Sequence, residues 1–387
     1  MTVSRSVAVV LLALLASPLV ASAAGAPGVP TAIHHYEPVV MSAPAAGTAA
    51  LRKGASLSLS FSTLGRQFDL ELEPSDLFVE GAQVHWVDDH GTVDEPAAST
   101  GTFVRGRVAG ESGSWVRLRV NGNELSGIVA SDKELYFIEP ARDFFGAKGA
   151  GKSIAYRLSD TDPAPLGACA AHAPGRAAFA RGSAGGSGIT KLWPHAVTRE
   201  LAGQADVGSA ALVADKRAQI GIVADFQYFN GITGRAGHGA SSAADMAAVM
   251  NAVDGIYQSE LGVAVQIRST TVYTTADDPF TDTADYNALL NEFSTFHDNN
   301  DQTPQQILYG ADLAHLFTGR DLSGSVIGVA WLGQLCQSYW GSGLSEDFNP
   351  SLYVKTLLVA HEMGHNFGAP HDNQSGSACA STPAPSS

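Results

Sequence analysis

The most informative segment of the 387-residue chain reads HEMGHNFGAPHD and runs from His361 to Asp372. His361 and His365 are four residues apart, so on a helix they project from the same side and can bind one ion. Gly368 can adopt the left-handed conformation that ends a helix and turns the chain. That turn would bring His371 to the same ion, so the spacing predicts three imidazole ligands.

The residues before this segment predict the helix itself. Asn349 can cap its first turn, with Pro350 at the first helical position, where the missing N–H costs nothing. Apolar residues follow at helical spacing, namely Leu352, Val354, Leu357 and Leu358. Three imidazoles leave a fourth coordination position open for water, which is the geometry of catalytic rather than structural zinc.

Glu362 follows the first histidine directly and is predicted to be the general base, not a metal ligand. Its carboxylate can accept a proton from water activated by the metal and later pass it to the departing amine. The alternative is an ordinary surface helix whose histidines are merely hydrogen-bonded. The predicted helix cap, the helix, the glycine that ends it and the adjacent glutamate all fit the same kind of site. Together they favour a site for one catalytic zinc ion over the surface helix.

Composition and the N-terminus limit the possible functions. The chain has 23 basic against 38 acidic residues, and a net charge of −15 argues against nucleic-acid binding. Residues 1–23 contain one arginine, an apolar run from Val7 to Val20 and the ending Ala21-Ser22-Ala23, which is typical of a secretory signal peptide. As a membrane anchor the run is short of the about 20 residues that a bilayer needs. We therefore expect a secreted protein without a membrane span.

The remaining chain changes character twice. Residues 24–170 are predicted to be mainly β, because apolar residues alternate with polar ones in segments such as 57–61 and 68–72. Residues 171–216 are rich in Gly, Ala and Ser and are predicted to be a flexible linker. Residues 217–387 alternate between strand and helix patterns, which indicates an α/β unit.

The pattern H-E-x-x-H-x-x-G-x-x-H is similar to that of the metzincin zinc endopeptidases. Asp372 directly after the third histidine resembles the adamalysin or reprolysin branch, which includes snake-venom metalloproteinases. The resemblance implies a mixed sheet with a long active-site helix (α+β or α/β), preceded by a small antiparallel β propeptide. It also implies that His361, His365 and His371 bind zinc, that Glu362 is the base, and that Gly368 and Asp372 support the turn.

Further upstream, the segment 311–320 resembles that family's edge strand, against which a protein or peptide substrate lies extended. Gly328-Val329-Ala330 and Cys336 resemble the strand and cysteine that follow it. His315 is then either a scaffold position on the edge strand or a plain strand residue. A monomer is expected.

Cys169 lies where the resemblance places the end of the propeptide. Families of this type often position a cysteine there to occupy the fourth site on zinc and keep the zymogen latent. The alternative is an incidental free thiol. Cys336 and Cys379 are then left as a possible disulfide, although relatives usually pair the first of these with a cysteine nearer the end of the domain.

Two minor features leave alternatives open. Lys216-Arg217 or Arg181 is a candidate processing site, but basic residues are usually just solvated charge. Asp277, Asp278 and Asp282 are candidate calcium ligands, although a solvated loop explains them better, since no ordered ligand spacing is present.

One departure concerns the methionine turn that gives metzincins their name, which follows the third histidine. The five methionines stand at positions 1, 41, 246, 250 and 363, none of them after His371. The chain is therefore expected to be truncated before that turn. Two functions follow: a secreted zinc endopeptidase made as a zymogen, or a catalytically inactive relative that retains zinc.

Overall fold

The computed structural model describes residues 33–42, 56–161, 168–172, 214 and 216–371. The predicted signal peptide, nearly all of the predicted linker, Asp372 and Cys379 lie outside the described residues. No helix in the described part of the chain is long and apolar enough to cross a membrane.

The described residues form nineteen strands, several of them only two residues long. In chain order they are β1 (Glu37–Pro38), β2 (Val40–Met41), β3 (Leu57–Thr63), β4 (Arg66–Pro74), β5 (Gln83–Asp88), β6 (Gly91–Pro96), β7 (Thr102–Val108), β8 (Trp115–Asn121), β9 (Glu124–Ser131), β10 (Glu134–Pro140), β11 (Ser153–Arg157), β12 (Ala168–His172), β13 (Lys216–Ala224), β14 (Gly231–Ile232), β15 (Arg235–Ala236), β16 (Val263–Tyr273), β17 (Leu313–Thr318), β18 (Val326–Trp331) and β19 (Ser342–Glu346).

Five α-helices accompany these strands in the described residues. They are α1 (Arg142–Phe145), α2 (Phe226–Asn230), α3 (Ser242–Leu261), α4 (Tyr286–Asn299) and α5 (Leu352–Asn366). The long helices α3 and α5 bury most of their residues, and the phenol of Tyr257 on α3 donates a hydrogen bond of 2.9 Å to the carbonyl oxygen of Ala360 on α5. This contact joins the two helices close to the histidine motif.

The N-terminal half forms a nine-stranded antiparallel sheet in the order β1-β11-β10-β9-β8-β7-β4-β3-β2. We call residues 33–161 the β domain. The alternating pattern of β3 and β4 is realised, since Leu59, Phe61, Phe68 and Leu70 are buried on one face. Gly122 and Asn123 form the two-residue turn that joins β8 to β9, and Asn121 and Glu124 pair on either side of it.

Residues 216–371, which we call the C-terminal unit, contribute most of a second, mixed sheet. Its order is β12-β18-β19-β17-β13-β16-β5-β6, with parallel pairing except between β18 and β19 and within the β5–β6 hairpin. The mixed sheet with a long helix carrying the histidines confirms the expected fold class of this unit. The β5–β6 hairpin lies within the residues predicted to form the β propeptide, but it extends this second sheet and does not join the nine-stranded one.

The prediction that 311–320 contains the edge strand is wrong. Its strand β17 lies in the interior of the mixed sheet, between β13 and β19, and all six of its residues are buried. A continuous apolar run of this kind is typical of a central strand that is covered on both faces. In the C-terminal unit the outermost strand on this side is β18, and its outer edge is paired with β12.

Candidate metal centre

Helix α5 presents the first two predicted ligands. Its N-cap is Ser351, whose backbone N–H donates to the side-chain oxygen of Asn349 at 2.9 Å, so the helix begins two residues later than the Asn349 cap predicted from the sequence. His361 and His365 lie one turn apart near the other end of the helix. Their Nε2 atoms are 3.1 Å from each other, which confirms that both imidazoles project to the same side.

The turn after α5 brings in the third histidine. Gly368 has a φ of +100°, in the region that favours glycine, and its N–H donates to the His365 carbonyl at 2.9 Å. The N–H of Ala369 donates to the Gly364 carbonyl, also at 2.9 Å. The His371 ring centre consequently lies 4.6 Å from that of His365.

A hydrogen bond to the backbone fixes the tautomer of the His365 imidazole. The Nδ1 of His365 is 2.6 Å from the carbonyl oxygen of Ala369, which can only accept, so Nδ1 carries the proton and Nε2 presents its lone pair. Burial lowers the pKa of His365 to about 4, and burial together with the neighbouring imidazoles lowers the pKa of His361 to about 3. These two imidazoles are therefore neutral near pH 7, which is the form that binds metals.

Cys169 lies at the same point. It belongs to β12, which runs parallel to β18 and places Cys169 opposite Gly328. The Cys169 Sγ atom is 3.2 Å from the His365 Nε2 atom. One ligand atom from each of Cys169, His361, His365 and His371 lies within 4.8 Å of all the others, and in the described residues this is the one cluster of such groups that could hold a metal ion.

Glu362 faces the centre from the adjacent position on α5. Its carboxylate is buried and neither oxygen has an N–H or O–H partner among the described residues. The Cys169 thiol is the polar group that interacts with it. Burial raises the pKa of Glu362 well above its usual value, and burial together with the charge of Glu362 raises the pKa of Cys169. The thiol thus lies between the His365 imidazole and a carboxylate that has no other donor among the described residues.

Gly328 on β18 explains how the carboxylate fits there. A Cβ atom at this position would lie 2.4 Å from the Glu362 Oε1 atom, closer than real side chains approach one another. The sequence analysis treated Gly328 only as part of a strand. Its role depends on a contact between a strand and a helix far apart in the chain, for which the sequence holds no local signal.

The substitution Gly328→Ala is expected to push the Glu362 carboxylate away without removing a metal ligand. We expect peptidase activity to fall by roughly 100-fold, comparable to the loss of general-base catalysis, while zinc content stays near one equivalent. Metal analysis and activity on a peptide substrate measure the two quantities on the same sample. Gly324→Ala is the control for glycine replacement in this region, since a Cβ there meets nothing within 4 Å, although its positive φ costs some stability. An alanine at 328 that leaves activity unchanged would contradict the contact.

The donor set fits zinc. Three imidazole nitrogens and one thiol sulfur are available, and zinc accepts this combination in tetrahedral geometry. Two nitrogens bound tetrahedrally to one zinc ion lie about 3.3 Å apart, close to the 3.1 Å between the Nε2 atoms of His361 and His365. The carbonyl of Ala369 supplies the outer hydrogen bond that metal-binding histidines usually have.

The other predicted residues lie elsewhere. His315 is buried on the interior strand β17, its Nε2 3.0 Å from the Ser345 hydroxyl, and burial lowers its pKa to about 3, so it belongs to the core. Cys336 is exposed and its thiol is 3.4 Å from Asp312, while the proposed partner Cys379 lies outside the described residues.

The acidic candidates for calcium face an arginine. The guanidinium of Arg320 lies 3.5 Å from a carboxylate oxygen of Asp278 and 3.7 Å from one of Asp282, and it also pairs with the buried Asp225. Asp277 is exposed. The guanidinium of Arg320 therefore supplies a positive charge next to the carboxylates of Asp278 and Asp282.

The site is similar to that of the zinc metallopeptidases, in which two histidines and the adjacent glutamate lie on one helix and a third histidine follows in the turn after it. Residues 243–372 match the reprolysin-like metallopeptidases of family M12B. These residues of the C-terminal unit are therefore similar to metzincins of the reprolysin type.

Two curated relatives show the same likeness. The zinc metalloproteinase recombinant fibrinogenase II of Deinagkistrodon acutus is 44% identical over 62 residues, covering 16% of this chain and 27% of its own length. The snake venom metalloproteinase trimerelysin-2 of Protobothrops flavoviridis is 34% identical over 68 residues, covering 18% and 34%. The chain thus spans about a third or less of these relatives. A structure of metalloproteinase-II from Bacteroides fragilis aligns over 85% of both chains, with 10% identity and a TM-score of 0.37.

Proposed function

We propose that this chain is a secreted zinc endopeptidase, made as a latent zymogen, that hydrolyses peptide bonds with Glu362 as the general base. The observation that carries the proposal is the convergence of three imidazoles beside a buried carboxylate that has no N–H or O–H partner among the described residues. A protein that only stored metal would have no use for such a carboxylate. Export is supported by the signal-like N-terminus and agrees with the naming of one relative as a venom protein.

His361, His365 and His371 would hold the zinc ion. When bound, zinc polarises the scissile carbonyl and makes nearby water more acidic. The carboxylate of Glu362 takes a proton from the attacking water and delivers it to the nitrogen of the departing amine. Because Glu362 is enclosed by α5 and β18, its negative charge is poorly solvated, and this makes it a stronger base towards that water.

Substrate would bind along the outer edge of β18. This edge offers unpaired backbone groups once β12 has left, and an extended peptide can add there as a further strand. Gly328 on this strand lies beside Glu362, so a peptide on this edge passes the base and the histidines. We expect the working protein to be a monomer, since one chain supplies every group of the site.

Latency is supported by the position of β12. It occupies the same edge that substrate needs, and its Cys169 thiol stands between His365 and Glu362, where water would react. A thiolate is a good zinc ligand and would close the fourth position. Cleavage within the predicted linker would leave this segment tethered at its N-terminal end alone, so that it can leave β18 and open both the strand edge and the metal.

The proposal is tested by measuring zinc and proteolysis on the same preparation. The full chain should carry about one equivalent of zinc, and after limited cleavage of the linker it should hydrolyse casein in a chelator-sensitive way, because three imidazoles suffice to hold the ion. His365→Ala is expected to lower bound zinc to below about 0.1 equivalents and to abolish hydrolysis, since it removes the central ligand.

His90→Ala is the matched control, because His90 is exposed and far from the site. It should keep both zinc and activity. A folded, zinc-loaded and linker-cleaved protein without hydrolysis would support the alternative, an inactive relative that retains the metal. Absence of stoichiometric zinc would contradict both functions.

A further inference from the structure

The β domain covers helix α5, which carries two histidines of the metal centre, and helix α3, which packs on α5. Strands β8 and β9 pack on α3, strand β10 packs on α5, and one apolar core runs through both halves of the molecule. The shared core includes buried side chains from each half, among them Trp115, Phe137, Tyr156, Met250, Ile256 and Tyr353. Removing the β domain would expose this apolar face of α3 and α5 to water, which is unfavourable.

A buried ion pair forms the first polar anchor between the halves. Arg117 of β8 donates from Nε to a carboxylate oxygen of Asp254 on α3 at 2.8 Å, and the two side chains are only 3% and 4% exposed. The same carboxylate accepts the N–H of Val265 at 2.8 Å, which fixes it in place. Gly255, the residue after Asp254, allows β8 to pack closely on α3, since a Cβ at this position would lie 2.4 Å from the Trp115 ring.

The second anchor acts on the active-site helix. Glu139 of β10 accepts the N–H of Leu352 at 2.9 Å and the hydroxyl of Ser351 at 2.9 Å, and it also accepts the hydroxyl of Tyr156. Ser351 is the N-cap of α5 but does not cap the helix with its own side chain. The β domain therefore supplies the cap, and a carboxylate at this end also interacts favourably with the helix dipole.

The third connection is a continuous sheet. The hairpin β5–β6 of the β domain pairs with β16 of the C-terminal unit, with Val84 opposite Thr270 and Val87 opposite Tyr273. Just before the hairpin, Leu77 accepts a backbone hydrogen bond from Ile267. Dissociation would break these strand hydrogen bonds as well as the two anchors.

Strand β12 is held in a different way. It pairs on one side only, with β18, and besides the contact of the Cys169 thiol with His365 its Ala170 packs against the apolar cluster that includes Val329 and Leu344. Only partly buried side chains are seen on it. The segment that blocks the metal centre can thus leave without disturbing the anchors of the β domain.

We propose that the β domain is a permanent subunit of the working peptidase, which stays on the C-terminal unit after the linker is cut, with Glu139 as a positioning residue for the active-site helix. This inference rests on the proposed function, because it assumes that cleavage in the linker activates the protein. Only the Cys169 segment is the inhibitor. The β domain is then not a disposable propeptide.

The test separates the two halves covalently and asks whether they stay together. A site for a specific viral protease is inserted between Gly185 and Gly186 of the full chain, in a Glu362→Gln background that prevents self-digestion. After cutting, size-exclusion chromatography and native mass spectrometry at about 1 μM should find both fragments in one particle. Because this readout needs no peptidase activity, its failure is distinct from failure of the proposed function.

The anchors are tested in the same cut protein. Arg117→Met leaves Asp254 buried without its partner and is expected to weaken the association on the order of 100-fold or more. Arg107→Met is the matched control, since Arg107 also pairs with a carboxylate in this sheet but in an exposed position, and it should change nothing. Glu139→Ala should weaken association and alter the visible spectrum of the cobalt-substituted metal centre, whereas Glu139→Gln, which can still accept the Leu352 N–H, should restore the spectrum.

Two results would overturn the proposal. One is that the two fragments of the cut chain, with Arg117 and Glu139 unchanged, separate and each remain folded. This outcome is measured without any anchor variant, so misfolding of a variant cannot produce it. The other is full association and an unchanged cobalt spectrum in Glu139→Ala, which would remove its positioning role.

Discussion

Replacing Glu362 with glutamine is expected to lower kcat/KM by roughly 100- to 10,000-fold, the range for loss of a general base, while zinc stays near one equivalent. The reason lies in the geometry of the site. The carboxylate is buried next to the histidines but accepts no hydrogen bond from an N–H or O–H group of the described residues. Glutamine has almost the same shape, so the packing against Gly328 is kept, but an amide does not take a proton from water near pH 7.

The measurement compares wild type and Glu362→Gln after the same linker cleavage, with zinc content and kcat/KM determined on one sample. Glu346→Gln is a useful control, because Glu346 at the end of β19 is also buried but pairs with Arg235. Its loss is expected to affect stability more than turnover. If Glu362→Gln kept most of its activity, another group would be the base and the proposed mechanism would be wrong.

Much of the metal centre follows from the local sequence. Spacing of four residues places His361 and His365 together on any helix, and Gly368 permits the turn that returns His371. These are short-range relations, fixed by helix geometry and by the freedom of glycine at positive φ. For this reason the three imidazoles converge as the pattern predicts.

The parts that the sequence did not predict all depend on long-range pairing. The apolar run of β17 does not say whether the strand is central or at an edge, and neighbours far away in the chain decide it. Likewise, the alternation in β5 shows a half-buried strand but not which sheet it joins. Glu139 looks like an ordinary strand residue in the sequence, and only the fold brings it to the first turn of α5, 213 residues away.

Removing the thiol of Cys169 is expected to unlock the uncut chain. In Cys169→Ala we expect proteolysis without linker cleavage to rise at least about tenfold, since an intramolecular ligand at high effective concentration keeps most wild-type molecules closed. Strand β12 could still cover the edge of β18, so activity should remain below that of the cut wild-type protein. Cys169→Ser should behave similarly, because a hydroxyl is a much poorer zinc ligand than a thiolate.

Two measurements distinguish metal binding by Cys169 from simple coverage of the site by β12. Activity of the uncut chain reports opening of the site, and the near-ultraviolet absorption of the cobalt-substituted protein reports a sulfur ligand. Both should change in Cys169→Ala and neither in Cys336→Ser, which removes an exposed thiol next to Asp312. If the sulfur absorption is missing from the uncut wild type, the cysteine does not bind the metal. If it is present but activity stays low in Cys169→Ala, the pairing of β12 with β18 keeps the enzyme latent by itself, because the strand then blocks substrate even when the metal is open.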